Sequence, residues 1–291
     1  MNERDWLLIA TLYKEKNITK ASEKLYTSQP ALTYRIKQIE KEFGTGLIKR
    51  GRHGVDFTKE GELIASYAKE MIKQLSHLKE IVLNQSKEVH GILRIGSTRT
   101  YSLYRLPRIL NKFSQKYPKV DFKLTTDLKK NLINKVLEQD LHVCIVRGEI
   151  PYWPYEKHVV ATENIYMVSK KKIDLNNLPD LPRIDGARDP SLKMYIDYWW
   201  SENFKKSPYV SMTVDNLEIT KKMVLNGLGY TISPSMLFDN DSEKFYKKIL
   251  EDSNGNPLYW KTHILYRKEV RMLIVVDAFI DFIVQNISKK D

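Results

Sequence analysis

The first 58 residues carry apolar side chains at the spacing of short helices. Residues 6–13 and 21–25 show this pattern, and a third segment, TSQPALTYRIKQIEKEFG at residues 27–44, repeats it. We therefore predict three short helices packed on one another. After them, KRGRHGVDFT places Gly51 and Gly54 on either side of a basic turn between two short extended pieces, which predicts a hairpin, or wing. The apolar positions of the first two segments are Trp6, Leu7, Ile9, Ala10, Tyr13, Ala21 and Leu25.

A longer helical pattern follows the hairpin. From Thr58 to about Gln85 no proline interrupts the chain, and apolar residues recur at steps of 4, 3, 4, 3 and 4. Such a heptad seam predicts a helix that pairs with a partner helix. The alternative is a helix that lies on its own domain, but the charged residues flanking the seam favour dimerisation. The seam consists of Ile64, Ala68, Met71, Leu75, Leu78 and Val82.

Beyond Gly91 the pattern changes to strands that alternate with helices. ILRIGS, VDFKLTT and LHVCIV are predicted strands, separated by an amphipathic helix in LYRLPRILNKFSQKYP and a second helix that ends near Glu138. The alternation continues to a final helix in MLIVVDAFIDFIVQNI. Strands joined by helices predict a parallel sheet with crossovers, so the fold class is α/β. The aromatic run YIDYWW at residues 195–200 is interpreted as a helix that packs on the sheet.

Composition narrows the function classes. The 291 residues are 42% hydrophobic and carry 48 Lys and Arg against 36 Asp and Glu, a net charge of +12. This balance favours a polyanionic partner. We find neither a secretory signal nor a segment of membrane-spanning length, so we expect a cytoplasmic protein with no membrane partner. The single cysteine, Cys144 in LHVCIV, is interpreted as a buried strand residue rather than a redox thiol.

Residues 17–44 meet the spacing of a helix-turn-helix around the turn YTS. Thr27 or Ser28 can cap the second helix, and Pro30 suits its first turn, where the missing N–H has no helical acceptor. With the apolar residues inward, hydrogen-bonding and cationic side chains remain on the outer face. Such a face fits the major groove of DNA. The outward residues are Ser28, Gln29, Thr33, Tyr34 and Lys37.

The stretch ITKASEKLYTSQPALTYRIKQIEKEFGTGLIKRGRHGVDFTKEG resembles the winged helix-turn-helix of LysR-type transcriptional regulators. The similarity is most specific in SQPALTYRIKQIEKEFG, in the basic pair Lys49 and Arg50, and in FTKEG at the start of the long helix. The chain departs from the family pattern at Ser22, Ile48 and His142.

The resemblance extends in outline over the whole chain and implies its domain organisation. A winged helix-turn-helix would occupy residues 1–58 and a linker helix residues 59–90. Two Rossmann-like subdomains, similar to periplasmic solute-binding proteins, would form an effector-binding domain from residue 91 to residue 291. The first subdomain would combine residues 91–160 with 267–291, and the second would span 161–266.

The resemblance also implies DNA contacts and an assembly. Residues in or beside the major groove would be Thr27, Ser28, Gln29, Pro30, Thr33, Tyr34 and Arg35. Phosphate contacts would come from Lys37, Arg50 and Arg52. Arg35 and Lys37 could instead be solvated helix charges. Paired reading heads about one DNA turn or a multiple apart imply an inverted-repeat promoter site, bound by a homodimer that pairs into a homotetramer; RNA polymerase is a further candidate partner.

Parallel sheets bind ligands outside the carboxyl ends of their strands, and two such subdomains would face each other across a cleft. GSTRTYS follows the first strand, where hydroxyls and free helix N–H groups would suit an anion, with ordinary helix capping as the alternative. Arg147 ends the strand CIV and would pair with a ligand carboxylate or, alternatively, with Glu149 or Asp127. We therefore expect a small anionic metabolite. The candidate effector contacts are Ser97, Thr98, Arg99, Thr100, Thr126, Arg147, Asp215, Asn216, Thr231 and Ile232.

Three other functions are weighed. An enzyme is not expected, because no Walker loop, nucleophile elbow or HExxH sequence occurs, and the histidines lack metal-ligand spacing. We expect no cofactor or metal. A solute-binding protein of the same fold would need an export signal and would have no use for the helix-turn-helix. A DNA-binding regulator without a small-molecule effector is the remaining alternative.

Overall fold

The computed structural model divides the chain into two compact units, residues 1–85 and 86–291. The residues it describes are 1–51, 54–83, 88–186 and 189–285.

The first unit is a helical domain with a β-hairpin. Each helix has a local reason to begin where it does. Asn2 and Asp5 form a reciprocal capping box at the start of α1, and Ser28 caps α3, which ends at Gly44 with φ 68°. The elements are α1 Glu3–Glu15, α2 Ile18–Lys24, α3 Gln29–Phe43, β1 Ile48–Gly51, β2 Gly54–Phe57 and α4 Lys59–Leu83.

The antiparallel hairpin β1–β2 is fixed to the turn that follows α1. The backbone N–H of Val55 donates to the carbonyl of Lys16 at 2.9 Å. Gly54 has φ 144°, and a Cβ at this position would lie 2.3 Å from the same carbonyl oxygen. The close approach therefore requires glycine. The predicted wing is present, although its tip, with Arg52, lies outside the described residues.

Helix α4 contacts its own domain along its first half. Ala65 and Ala68 are buried at 3% and 0% exposure in the core formed with α1 and α3, and Ile64 packs against that core. The predicted seam is therefore corrected at Ala68, because a residue with no exposed surface has none to offer a partner helix. Leu78 and Val82, further along, are more than half exposed. The interpretation as a helix on its own domain holds for the first half of α4.

The second unit is a mixed α/β domain. Its helices are α5 Arg99–Tyr104, α6 Leu106–Lys116, α7 Lys129–Leu137, α8 Pro190–Asn203, α9 Leu217–Leu225 and α10 Ile274–Gln285. Its strands are β3 Gly91–Ser97, β4 Val120–Thr126, β5 Val143–Arg147, β6 Glu156–Ser169, β7 Arg183–Gly186, β8 Val210–Val214, β9 Thr231–Pro234, β10 Tyr246–Ile249 and β11 Tyr259–Tyr266. Short 3₁₀ segments occupy Leu175–Asp180, Ser235–Lys244 and Lys268–Met272.

Strand pairing is parallel only in part. β3 pairs in parallel with β4 and β5, and β7 pairs in parallel with β8. The prediction of a parallel sheet is wrong around β6, which pairs antiparallel with β11 along its first part and with β9 and β10 along its last part. The order of the larger sheet is β10-β6-β11-β5-β3-β4. We call β3 to β5 with α5 to α7 and α10 the first half of the unit, and β7 to β10 with α8 and α9 the second half. β6 runs through both halves.

β11 also joins the two halves. Trp260, near its start, packs in the core of the second half, whereas Leu265, near its end, packs with Cys144 in the core of the first half. Residues 262–266 pair directly with β5. The structure therefore moves the second crossing from the predicted boundary at residue 266 to a point within β11.

The aromatic helix and the cysteine occupy the interior as predicted. Trp199 and Trp200 of α8 are each 5% exposed and belong to the core around β6 and β11. Cys144 is fully buried, and burial raises the pKa of its thiol. A buried, protonated thiol is a poor nucleophile, which supports a packing role.

Candidate nucleic-acid interface and regulatory cleft

The start of α3 presents a polar surface to solvent. The Ser28 hydroxyl accepts a hydrogen bond from the N–H of Ala31 at 3.4 Å, which fixes the first turn. On the inner face Leu32, Ile36 and Ile39 are at most 3% exposed. The helix is thereby locked in rotation, so its remaining side chains must point outward.

Five of the predicted DNA-binding residues share one depression on this outer face. Tyr34 is 65% exposed, and its neighbours mix amide, hydroxyl, apolar and ammonium groups. Such a mixture can hydrogen-bond base edges and phosphates and contact the thymine methyl group. The depression is lined by Gln29, Pro30, Thr33, Tyr34 and Lys37.

Arg35 does not share this surface chemistry. Its Nε and one terminal nitrogen donate to the two carboxylate oxygens of Asp5, each at 2.6 Å. The Asp5 side chain is 3% exposed, and the hydrogen bond from Arg35 holds the pKa of this carboxyl below its usual value. The bidentate pair ties α3 to α1. The sequence predicts Arg35 in or beside the major groove or, alternatively, as a solvated helix charge, and the structure gives this side chain an intradomain partner while leaving it 41% exposed.

The turn before α3 holds an exposed residue that the sequence pattern does not single out. Tyr26 is 98% exposed and has φ 52°, in the left-handed region that side chains other than glycine adopt rarely. The following N–H, of Thr27, donates to the carbonyl of Ser22 at 3.0 Å and holds the turn. Thr27 is itself exposed, as is Ser28. Of the predicted phosphate contacts on the hairpin, Arg50 lies on β1.

In the second unit, four of the predicted effector residues meet at one edge of the sheet. Ser97 and Thr126 are register partners at the ends of β3 and β4. Arg147 ends β5, the other neighbour of β3, and the N–H of Thr98 donates to the carbonyl of Ile145 at 3.2 Å. The carboxyl ends of these parallel strands therefore form a common polar edge, as predicted.

Other predicted effector residues lie elsewhere or have other partners. Ile232 is fully buried in the hydrophobic core and Thr231 is 2% exposed, because they begin β9 instead of ending it. These two predictions are corrected. Asn216 caps α9, accepting from the N–H of Glu218 at 2.8 Å, while Asp215 is exposed. Arg99 is exposed and Thr100 half-buried on α5, a helix of only 6 residues.

Arg147 has a protein partner that the sequence did not indicate. Its terminal nitrogen donates to Glu163 Oε2 at 2.7 Å, and the N–H of Met236 donates to the same oxygen at 3.3 Å. The alternatives Glu149 and Asp127 are wrong as partners, and Asp127 instead pairs with Lys135 at 2.8 Å. Glu163 is 5% exposed, and burial raises the pKa of its carboxyl.

Around this pair, several buried polar atoms have no protein hydrogen-bond partner. Ser102, Glu163 and Thr262 were not predicted, and Thr262 is the register partner of Arg147 on β11. A strand pattern extended back from NIYMVS would have indicated Glu163, because this acidic residue directly precedes NIYMVS inside the long strand β6. The atoms are Thr98 Oγ1, Ser102 Oγ, Arg147 Nε, Glu163 Oε1 and Thr262 Oγ1.

Polar contacts also join the two halves. The Tyr104 hydroxyl donates to Glu218, and Arg105 donates to Asp239 at 2.5 Å. Lys129 lies 2.9 Å from an oxygen of Asp189. These contacts connect α5, the residue that follows it and α7 of the first half with α9, the cap residue of α8 and the 3₁₀ segment Ser235–Lys244 of the second.

Metal and membrane sites were sought in the part of the chain that the structure describes. Among those residues no group of three or more His, Cys, Asp or Glu side chains is arranged to hold a metal ion. None of the described helices is both long and apolar enough to span a bilayer.

Comparisons with known proteins match both units. Residues 4–62 match the family model described as bacterial regulatory helix-turn-helix protein, lysR family, and residues 86–288 match the LysR substrate binding domain. A curated relative, the uncharacterized HTH-type transcriptional regulator YraN of Bacillus subtilis, is 37% identical over 97% of both chains. HTH-type transcriptional regulator CzcR of the same species is 29% identical over 80% of both chains.

Solved structures share the fold over nearly the full length. A full-length OxyR variant from Pseudomonas aeruginosa has a TM-score of 0.65 at 18% identity, covering 98% of both chains. Full-length CbnR complexed with its target DNA has a TM-score of 0.66 at 17% identity, covering 98% of this chain and 99% of that one. The predicted fold class, a winged helix-turn-helix with a linker helix and two Rossmann-like subdomains, is confirmed.

Proposed function

Because the chain belongs to the LysR family of DNA-binding transcriptional regulators, we propose that the outer face at the start of α3 reads its operator in the major groove. The observation that carries the proposal is the depression beside the Ser28 cap, where hydrogen-bonding, cationic and apolar groups lie together. Gln29, Thr33 and Tyr34 would contact base edges, and Pro30 a thymine methyl group. Thr27 and Ser28 would hydrogen-bond the DNA backbone or bases beside them, at the amino end of the helix.

Charge contacts complete this interface. Lys37 is exposed at the edge of the depression and would pair with a phosphate, as would Arg50 and Arg52 of the wing. Arg35 is assigned a different role, because its guanidinium already donates two hydrogen bonds to the Asp5 carboxylate. It would hold the angle of α3 against α1 so that the reading face meets the groove.

The DNA proposal is tested by sequencing genomic fragments retained by the purified full-length protein and measuring its affinity for the recovered site. Gln29→Ala should cost about 1–3 kcal/mol, and only on sequences that keep the contacted base. Lys37→Ala should weaken all sequences alike and reduce the salt slope by about 1. Lys248→Ala, an exposed lysine on β10 in the second unit, removes the same charge and serves as the control. Equal loss in the control would refute the interface.

We further propose that a small molecule with an anionic group binds at the cleft and modulates DNA binding. The support is the cluster at the ends of β3, β4 and β5, where the Arg147 Nε–H has no protein acceptor. The ligand would contact Thr98 and Arg147 of the first half. It would also contact Glu163 of β6, the strand that runs into the second half. Ser97 and Thr126 would shape the same edge. A ligand that contacts both halves can shift their arrangement only if it binds one arrangement better.

The assembly proposed for this mechanism is a homodimer through the exposed second half of α4, pairing further into a homotetramer in the cytoplasm. Met71 and Leu75 are half-buried, and Leu78 and Val82 are exposed, so apolar surface remains for a partner helix. Two reading heads would then recognise an inverted repeat, and ligand binding would change the angle between them. DNase footprints and bending assays with and without a verified ligand should differ in length or bend; identical results would refute this mechanism.

Calorimetry against organic acids, amino acids and aromatic carboxylates tests for the effector. A binder whose affinity falls in Arg147→Met, with thermal stability retained, would support the cleft. Silence across the panel from folded protein that binds its operator would favour a regulator that responds only to protein partners.

A further inference from the structure

The cleft cluster combines a base and an acid, and this combination constrains its ligand beyond the anionic group already proposed. Arg147 and Glu163 are paired through one nitrogen and one oxygen at 2.7 Å. Each keeps a second polar atom, Arg147 Nε and Glu163 Oε1, that is buried and has no protein partner. A buried polar atom without a partner is strongly disfavoured, so each atom needs complementary chemistry.

The two atoms demand opposite groups. Arg147 Nε–H is a donor under all conditions, so its partner must be an acceptor such as a carboxylate oxygen. Burial raises the pKa of the Glu163 carboxyl, but the charge of the Arg147 guanidinium, which donates to it at 2.7 Å, favours the ionised form. An ionised Glu163 can only accept, so its Oε1 requires a donor such as an ammonium or another N–H. The hydroxyls of Thr98, Ser102 and Thr262 can donate or accept and impose no sign.

The charges of Arg147 and Glu163 favour a ligand other than a simple anion. Arg147 and Glu163 together are neutral, and Glu163 is 5% exposed with its second oxygen held by Arg147 and the Met236 N–H. A dicarboxylate would bring a second negative charge toward that buried acid. A molecule with one positive and one negative group meets both partners and leaves the buried site neutral.

Both halves of the unit contribute to this cluster. Thr98 and Ser102 follow β3, and Arg147 ends β5, whereas Thr262 and Glu163 belong to the two strands that run between the halves. Met236 belongs to the 3₁₀ segment after β9. A ligand bound here therefore contacts the structure that fixes one half against the other.

We propose that the effector is a zwitterion of the α-amino-acid type, with its carboxylate on Arg147 and the hydroxyls and its ammonium on Glu163. This inference rests on the proposed effector function and narrows its ligand class. A single carboxylate on Arg147 would satisfy the original proposal, whereas the zwitterion also requires the acid on β6.

The experiment is calorimetry of the full-length protein with the proteinogenic L-amino acids in matched sets. Each amino acid is compared with its N-acetyl derivative, which lacks the cation, and its amide, which lacks the anion. At least one amino acid should bind, and both derivatives of that compound should bind at least 30-fold more weakly. An N-acetyl derivative that binds as tightly as its parent would overturn the zwitterion while leaving an anionic effector in place. If no compound binds to protein that still recognises its operator, the zwitterion proposal is wrong.

Two variants locate the binding. Glu163→Gln retains an oxygen for the Met236 N–H and should bind the amino acid at least 30-fold more weakly while leaving the affinity of the N-acetyl derivative within 3-fold. Thr262→Val removes one hydroxyl at nearly constant volume and should weaken both compounds to a similar extent. Near-ultraviolet circular dichroism and operator binding establish that each variant is folded. Unchanged amino-acid affinity in a folded Glu163→Gln protein would overturn the assignment of the ammonium to Glu163, and unchanged affinity of both compounds in Thr262→Val would overturn the placement of the ligand at this cluster.

Discussion

The Asp5–Arg35 pair offers the sharpest test of how α3 is held against α1. Two charge-assisted hydrogen bonds of 2.6 Å join a carboxylate that is 3% exposed to a guanidinium that is 41% exposed. Hydrogen bonds to charged groups contribute about 1.5–3 kcal/mol, and solvent screening of Arg35 places the pair near the lower end, at about 1.5–2 kcal/mol. We therefore expect Asp5→Asn to weaken the docking of α3 on α1 by that amount.

Hydrogen–deuterium exchange of the full-length protein measures this local stability. A loss of about 1.5–2 kcal/mol corresponds to amide exchange in α1 and α3 that is roughly 10- to 30-fold faster. Arg35→Ala should give a similar increase, and the double variant should add little, because each single change already breaks the same pair. Lys37→Ala, two residues further along α3 and exposed, is the matched control and should leave exchange unchanged.

The pH dependence has a definite sign. Arg35 lowers the pKa of Asp5 in the folded state, so the pair stabilises the domain above the unfolded pKa, near 3.8, and this contribution is lost as pH falls through the lower folded pKa. The difference between the parent and Asp5→Asn should shrink over that range. The reasoning is refuted if Arg35→Ala leaves exchange unchanged and loses affinity only for operators with one particular base, as a guanine-reading arginine would.

Three further predictions follow from packing and charge. Gly54→Ala should disorder the wing and accelerate exchange in β2, because a Cβ there would lie 2.3 Å from the Lys16 carbonyl oxygen; unaltered exchange would contradict the close approach. Leu78→Asp combined with Val82→Asp should shift sedimentation from the proposed tetramer to a smaller species with unchanged circular dichroism, and an unchanged sedimentation coefficient would exclude α4 as a contact. Burial lowers the pKa of His263, so its stabilising contribution is present above the unfolded pKa near 6.5 and is lost as pH falls; His263→Gln should flatten the decline of melting temperature below pH 6.5, and a parallel decline would refute this.

Periodicity predicted the helices of the first unit well, because the buried face of each helix follows from the spacing of its own apolar residues. Leu32 and Ile36 define the inner face of α3, and the polar outer face follows from them. Helical periodicity does not indicate ion pairs between residues that are distant in the sequence. Asp5 and Arg35 are separated by 30 positions, so the packing of α1 against α3 decides their contact, and periodicity within either helix carries no signal for it.

The candidate effector site could be predicted only in part from the sequence. Parallel strands bring their carboxyl ends to one edge of a sheet, whereas antiparallel strands do not. Ser97 and Thr126 meet at the expected edge, since β3 and β4 run in parallel. The partner of Arg147 could not be predicted in this way, because β11 and β6 enter the sheet antiparallel and bring Glu163 beside Arg147. Ile232 was misplaced because β9 begins at residue 231, so a residue read as a strand end lies in the core.

The continuity of β6 limits how this regulator could be taken apart. Its first residues are hydrogen-bonded to β11 and its last to β9 and β10, so removing either half would leave unpaired backbone groups on the other. When second units are exchanged between relatives, each should therefore be transplanted whole, from residue 86 onward. Chimeras joined inside this shared strand should be insoluble or be degraded in the cell.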